Sequence, residues 1–322
     1  MNLQERFTIP PFSVWDTKQG YWQNRRTMWL AYGIRSEEGR QKTLLKMSNT
    51  ILEPDKEKRE KRFGECNVKT MSGLTPDEYK LKYGRTASEG TSIFDPVICE
   101  LCYKWFCPVN GTILDPFAGG SVRGIIAQLL GYKYTGIELR EEQVQSNINQ
   151  ASIILKEAQP IWIVGDSMEK IPKEEFFDMV FTCPPYFDLE VYSDSPNDLS
   201  NKNNYDDFLV CYEEIIKKSN AQLLENRFFV IVVSNFRDDH GNLYDFCGDT
   251  IKIMKHQGLS LYNEIVLINS IGTLPLRVNK SFGQNRKVGK MHQNVLVFFK
   301  GKNDMIKNIY KNLNIKEQNN FW

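Results

Sequence analysis

No stretch of this chain stays apolar for the roughly 18 residues that a membrane helix needs. Its first ten residues hold no apolar core of signal-peptide length. No membrane association is therefore expected, and the protein reads as soluble and cytoplasmic. An excess of charge is also missing, since 41 Lys and Arg nearly cancel 40 Asp and Glu, leaving +1. Bulk charge thus marks no nucleic-acid binder, and any basic surface has to be local. Cysteine is sparse at seven, an odd number without an export signal, which speaks against a disulfide framework. Cys99, Cys102 and Cys107 lie close together, but Cys99 and Cys102 share one face of an apolar helix expected near 96–106. No further CxxC or HxxH pair accompanies them, so buried cysteines and no metal are expected. Of the three histidines, His240 and His256 carry no pattern; His292 lies in a basic segment.

What is present suits a globular chain. Of 322 residues, 41% are hydrophobic and 12% aromatic, enough for one domain with an appendage. Residues 1–90 read as an irregular N-terminal extension, with Trp15, Tyr21, Trp22 and Trp29 followed by a charged run at 55–62. Residues 91–302 form the core domain, and 303–322 a polar tail. Within the core domain, β-branched runs predict strands near 112–115, 134–138, 161–164, 178–182, 228–234, 263–269 and 294–299. Helices are expected near 121–130, 141–155, 205–224 and 244–256. Seven strands, the first five separated by helices, call for a Rossmann-like, mostly parallel α/β sheet covered on both faces.

The first strand runs into Asp115-Pro116-Phe117-Ala118-Gly119-Gly120 and then a helix. Glycines there let the backbone approach a ligand at the carboxyl end of the sheet. The second strand ends at Glu138, 23 positions after Asp115, where an acid can accept hydrogen bonds from ribose hydroxyls. The loop is no GxGxxG, and an acid at its head would repel a phosphate while suiting an ammonium or sulfonium ligand. The third strand ends in Gly165-Asp166-Ser167, placing an acid where an adenine amino group could meet it.

The order Asp115-Pro-Phe-Ala-Gly, Glu138, Gly165-Asp166 and Cys183-Pro184-Pro185-Tyr186 resembles the amino-methyltransferases of DNA, the N6-adenine and N4-cytosine group. The likeness covers residues 90–300. The N-terminal Pro10-Pro11-Phe12-Ser13-Val14 with Gly20-Tyr21-Trp22-Gln23 is similar to phage- and prophage-borne DNA methylases. The resemblance implies a class I methyltransferase fold and S-adenosylmethionine as cofactor. It also implies contacts from Asp115 and the 117–120 loop to the methionine half, Glu138 to the ribose, and Asp166 to the adenine. Pro116, Leu139 and Ser167 flank these positions. Thr91, Ser92 and Phe94 occupy the place of the helix entry that completes the pocket. DNA is the implied partner, in a bacterial or phage-infected cell. A restriction–modification, orphan or phage-protective role, and any partner nuclease, are left open.

The fourth strand delivers Cys183-Pro184-Pro185-Tyr186 to the same edge. Two prolines fix the backbone so that a carbonyl can be aimed rigidly, and Pro184 is the candidate acceptor. An exocyclic base amine is a poor nucleophile because its lone pair is delocalised. A carbonyl acceptor draws it toward a tetrahedral state in line with the methyl donor. Tyr186 would stack on a flipped-out base. The family usually has Asp, Asn or Ser where this chain has Cys183, whose sulfur is a weak acceptor. That leaves cytosine N4 and adenine N6 both open, with a slight lean to N4. A covalent role for Cys183 fits poorly, because C5-cytosine chemistry is associated with the order Pro-Cys.

Between Glu264 and Asp304 there is no acidic residue. Arg277, Lys280, Arg286, Lys287, Lys290 and His292 are read as a basic loop for phosphate contacts. The segment 188–204 is read as a flap, with Tyr192 a candidate stacking residue. Arg25, Arg26 and Arg35 either contact nucleic acid or belong to an aromatic cluster covering the core. An RNA or protein N-methyltransferase and a silent nucleic-acid-binding module are the competing readings.

Overall fold

The computed structural model describes residues 3–35 and 94–310, apart from 157, 188, 190, 191, 239, 270, 272 and 273. Thr91, Ser92, the charged run at 55–62 and residues 311–322 lie outside the described residues. In chain order the elements are α1 (Leu3–Phe7), β1 (Val14–Asp16), α2 (Gly20–Leu30), α3 (Pro96–Phe106), β2 (Thr112–Asp115), α4 (Val122–Leu129) and β3 (Lys133–Glu138). There follow α5 (Glu141–Ile154), β4 (Ile161–Val164), α6 (Ser167–Lys170), β5 (Phe177–Thr182), α7 (Tyr205–Gln222) and β6 (Leu223–Val233). The last are β7 (Phe236–Arg237), β8 (Leu243–Tyr244), α8 (Phe246–His256), β9 (Ser260–Ile268), α9 (Leu274–Asn285), β10 (His292–Lys300) and α10 (Ile306–Ile309).

The main sheet has the order β1-β9-β10-β6-β5-β2-β3-β4. β10 runs antiparallel to both of its neighbours, and the other described pairs are parallel. All seven expected strands are present. Strands covered on both faces bury successive residues to opposite sides, and these do. Met179, Phe181, Val230, Val297 and Phe299 join the core under α3 and α4. Val180, Phe229, Ile231, Leu296 and Phe298 join the core under α7 and α8. Caps set the helix starts: Asp95 accepts from the Val97 amide at 2.9 Å ahead of Pro96, and Asn204 accepts from the Asp207 amide at 2.8 Å.

The sheet has an eighth strand, which comes from the segment expected to be an N-terminal extension. Val14–Asp16 pairs in parallel with Val266–Ile268 at the sheet edge. Behind it α2 lies on α3, with Trp15 and Trp22 fully buried and Trp29 nearly so. Trp22 Nε1 donates to Asp95 at 2.9 Å and Trp29 Nε1 to Glu100 at 2.8 Å. A buried tryptophan is worth on the order of 3–5 kcal/mol against alanine, so residues 14–30 are built into the domain. The start of the expected polar tail is also attached, because the Tyr310 hydroxyl donates to the Phe106 carbonyl at 3.3 Å. No helix among the described residues is long and apolar enough to cross a membrane.

Candidate active site

The carboxyl ends of β2 to β5 open into a cleft of about 600 Å³. Its lining includes Phe94, Pro116, Phe117, Ala118, Gly119, Gly120, Glu138, Leu139, Asp166 and Ser167. Cys183, Pro184, Pro185 and Tyr186 line the same cleft. The described residues expected at a cofactor and those expected at a target amine are thus brought together, with one exception.

The exception is Asp115, which the sequence reading assigned to the methionine half of the cofactor. It is fully buried and does not line the cleft. Its Oδ2 accepts from Arg123 Nε at 2.5 Å and the Tyr134 hydroxyl at 2.7 Å. Its Oδ1 accepts from the Thr182 hydroxyl at 2.6 Å and the Phe117 amide at 3.1 Å. Both oxygens are committed inside the fold, so Asp115 shapes the loop rather than facing the cleft. Arg123 completes the work by donating to the Phe117 carbonyl and, at 2.8 Å, to the Ala118 carbonyl. Burial works against the Arg123 charge, but Asp115 beside it holds the guanidinium protonated, above its usual range. Phe94 lies 4.7 Å below that guanidinium. Gly136 is needed opposite the loop, because a Cβ there would meet Ala118 Cβ at 2.8 Å.

Glu138 and Asp166 do face the cleft. Glu138 accepts from the Gly119 amide at 2.9 Å and the Arg140 amide at 3.1 Å. Burial pushes its carboxyl above the usual carboxylate range, against the pull of these amides and of Arg140. Gly119 has φ +52°, a left-handed turn that glycine adopts at little cost. Asp166 caps α6, accepting from the Met168 amide at 2.8 Å, and the Ser167 hydroxyl donates to the Pro116 carbonyl at 2.5 Å. From the flap, Tyr192, Asn197 and Asp198 reach the lining. Asp198 is fixed by the Ser200 amide at 2.9 Å and the Ser193 hydroxyl at 2.9 Å.

The 183–186 turn crosses from one face of the sheet to the other. Cys183 packs against the core under α3 and α4, while Tyr186 packs against the core under α7 and α8. The Tyr186 ring centroid lies 5.9 Å from Phe236 and 6.2 Å from Phe246, and its hydroxyl accepts from Gln293 Nε2 at 3.0 Å. Burial keeps the phenol protonated, well above its usual range. Cys99 and Cys102 are fully buried in α3. Among the described residues no three His, Cys, Asp or Glu side chains gather to hold a metal ion.

The expected basic loop is in part a helix. Arg277 and Lys280 fall in α9, which sequence reading missed because Pro275 and Gly283 break its pattern; Pro275 stands in its first turn, where proline is tolerated. Arg286 has φ +55° and donates to the Phe282 carbonyl at 3.2 Å, finishing α9. Lys290 donates to the Asn235 carbonyl at 3.1 Å, and His292 opens β10 at the exposed end. Burial lowers both the Lys290 ammonium and the His292 imidazole from their usual values. The segment then runs into Gln293 in the cleft lining. Sequence reading singled out neither Arg123 nor Gln293. Arg123 had one signal, its place eight residues after Asp115 in the first turn of the next helix.

The strand order, with β10 inserted antiparallel between β6 and β9, and a cleft at the carboxyl ends of β2 to β5 define a Rossmann-like fold of the class I methyltransferase type. No protein-family model matches the chain. It is similar to the Type II methyltransferase M.SfiI of Streptomyces fimbriatus, 28% identical over 80 residues, which are 24% of this chain and 19% of that protein. The match thus spans about a fifth of the relative's length. Among solved structures, TrmN from Thermus thermophilus is similar at 12% identity and TM-score 0.42, over 64% of this chain and 49% of that one. Magnesium protoporphyrin IX methyltransferase from Synechocystis PCC 6803, solved with bound SAM, is similar at 13% identity and TM-score 0.42, over 70% and 94% of the two chains. On the cleft's own residues the chemistry fits S-adenosylmethionine: a glycine turn beside Glu138, Asp166 just past the end of the next strand, and no phosphate-type loop.

Proposed function

We propose that the protein is an S-adenosylmethionine-dependent methyltransferase acting on an exocyclic amino group of a DNA base, cytosine N4 or adenine N6. The observation that carries this reading is the meeting of Glu138, Asp166 and the Cys183-Pro184-Pro185-Tyr186 turn in one cleft. The similarity to a Type II methyltransferase supports it, as does the acid-free segment that leads through α9 into Gln293.

When bound, S-adenosylmethionine supplies an electrophilic methyl group on sulfur. Glu138 would hold the ribose hydroxyls and Asp166 the adenine amino group, with the 117–120 backbone at the methionine half. The target base stacks on Tyr186, whose ring is held from behind by Phe236 and Phe246 and whose hydroxyl is held by Gln293. The Pro184 carbonyl oxygen accepts a hydrogen bond from the amine, localises its lone pair and aims it at the methyl group. After transfer, the amine proton held at that oxygen leaves to solvent. Neither Tyr186, kept protonated by burial, nor Cys183 serves as a base, so rate enhancement comes from position and from a fixed acceptor.

The test is incubation with methyl-labelled cofactor and a mixture of DNA, RNA and protein, followed by mass spectrometry of the nucleosides and peptides. The expected product is N4-methyldeoxycytidine or N6-methyldeoxyadenosine, lost in Tyr186→Ala. Label in a ribonucleoside or a peptide would move the substrate to those polymers. No label in any of them would leave a binding module.

A further inference from the structure

The N-terminal segment contributes to the cleft as well as to the sheet edge. Thr17, Gln23 and Arg26 are part of the lining, and Gln23 and Arg26 stand three apart on α2, on one helix face. Resting on the cofactor reading above, we propose that Arg26 is the counter-charge for the amino-acid carboxylate of S-adenosylmethionine.

The argument starts from the charge of the cleft. Its lining holds the acids Asp95, Glu138, Asp166 and Asp198, which favour the ammonium and sulfonium groups but repel a carboxylate. A carboxylate entering such a cleft needs a cation with donors to give. Among the described residues three arginines line it: Arg26, Arg123 and Arg140. Arg123 is committed to Asp115 and to the loop carbonyls. Arg140 donates to Gln143 at 2.9 Å and Glu142 at 3.3 Å, on the flank of α5.

Arg26 differs from both. Its described ion pair is with Asp95, Nε to Oδ2 at 3.8 Å, beyond hydrogen-bond distance. Asp95 already has nearer partners, the Val97 amide at 2.9 Å and Trp22 Nε1 at 2.9 Å. Burial raises the Asp95 carboxyl from its usual value, against the pull of Trp22, the Val97 amide and Arg26. The side chain is about one-third exposed, and its guanidinium is a planar fork of donors matched to a carboxylate. Asp95 and its neighbour Phe94, which lies against Arg123 beneath the 117–120 loop, place Arg26 at the methionine end of the cleft.

Binding calorimetry with S-adenosylhomocysteine and 5′-methylthioadenosine separates the parts, because the second ligand keeps the nucleoside and lacks the amino acid. Arg26→Gln is expected to weaken S-adenosylhomocysteine by roughly 10- to 100-fold, the loss of a charge-assisted pair. Its affinity for 5′-methylthioadenosine should stay within about twofold, which also shows that the variant is folded. Arg26→Lys should recover part of the loss. Equal losses for both ligands, or no loss for either, would overturn the assignment of Arg26 while leaving the cofactor reading intact. If the unaltered protein binds neither ligand, the cofactor reading itself fails.

Discussion

Replacing Arg123 by methionine tests whether the Asp115 network is the frame of the cofactor loop. The substitution keeps most of the side-chain volume but removes the 2.5 Å pair to Asp115 and the donors to the Phe117 and Ala118 carbonyls. Asp115 is fully buried and cannot recover solvation, although Tyr134, Thr182 and the Phe117 amide still donate to it. Removing one partner of such a pair costs about 3–5 kcal/mol. At about 2–4 °C per kcal/mol, the melting temperature should fall by roughly 6–20 °C. Urea unfolding followed by circular dichroism, without cofactor, measures the loss directly. A double-mutant cycle with Asp115→Asn should show coupling, with the double variant losing about 0.5–3 kcal/mol less than the sum of the singles. A loss below about 1 kcal/mol in Arg123→Met, or strict additivity, would refute the reasoning.

Two other outcomes are expected. Burial works to raise the Glu100 carboxyl, but the Arg25 hydrogen bond and the Lys104 charge outweigh it and hold it below its usual value of 4.5. Its contribution to stability is therefore present above pH 4.5 and lost as pH falls through the lower folded value. Urea unfolding across acid pH should show a shallower loss in Glu100→Gln than in the parent, and identical slopes would count against it. Neutralising Arg286 and Lys287 to glutamine should weaken DNA binding and reduce the slope of log affinity against log salt by about two. An unchanged slope would make the segment solvated surface, and a change in melting temperature alone would report only the lost end of α9.

The sheet was legible because its strands are runs such as Phe228-Phe229-Val230-Ile231-Val232-Val233, whose length and β-branching no surface segment needs. Glu138 and Asp166 were legible because one ends a strand and the other follows the next strand by two residues, at the same edge. Asp115 shares that register yet faces inward, and nothing in its motif distinguishes the two cases. Its partners Tyr134 and Thr182 come from neighbouring strands and meet it only through the pairing of β2 with β3 and β5. The strand Val14–Asp16 is too short to show a period, and its partner lies some 250 residues away. The helix Leu274–Asn285 was read as loop because Gly283 and Pro275 weigh against a helix wherever packing is unknown.

The pairing of Val14–Asp16 with Val266–Ile268 also fixes an order of events during synthesis. The strand made first among those in the sheet has no edge to join until β9 has left the ribosome. Until then β1 lacks its partner, although α2, which rests on α3, and β2 to β5 are already available to fold. Closing so long a loop is entropically costly and slow relative to local contacts. The cleft lining that includes Glu138 and Asp166 also takes in Leu267, Asn269 and Gln293, so it is complete only once β9 and β10 have been made.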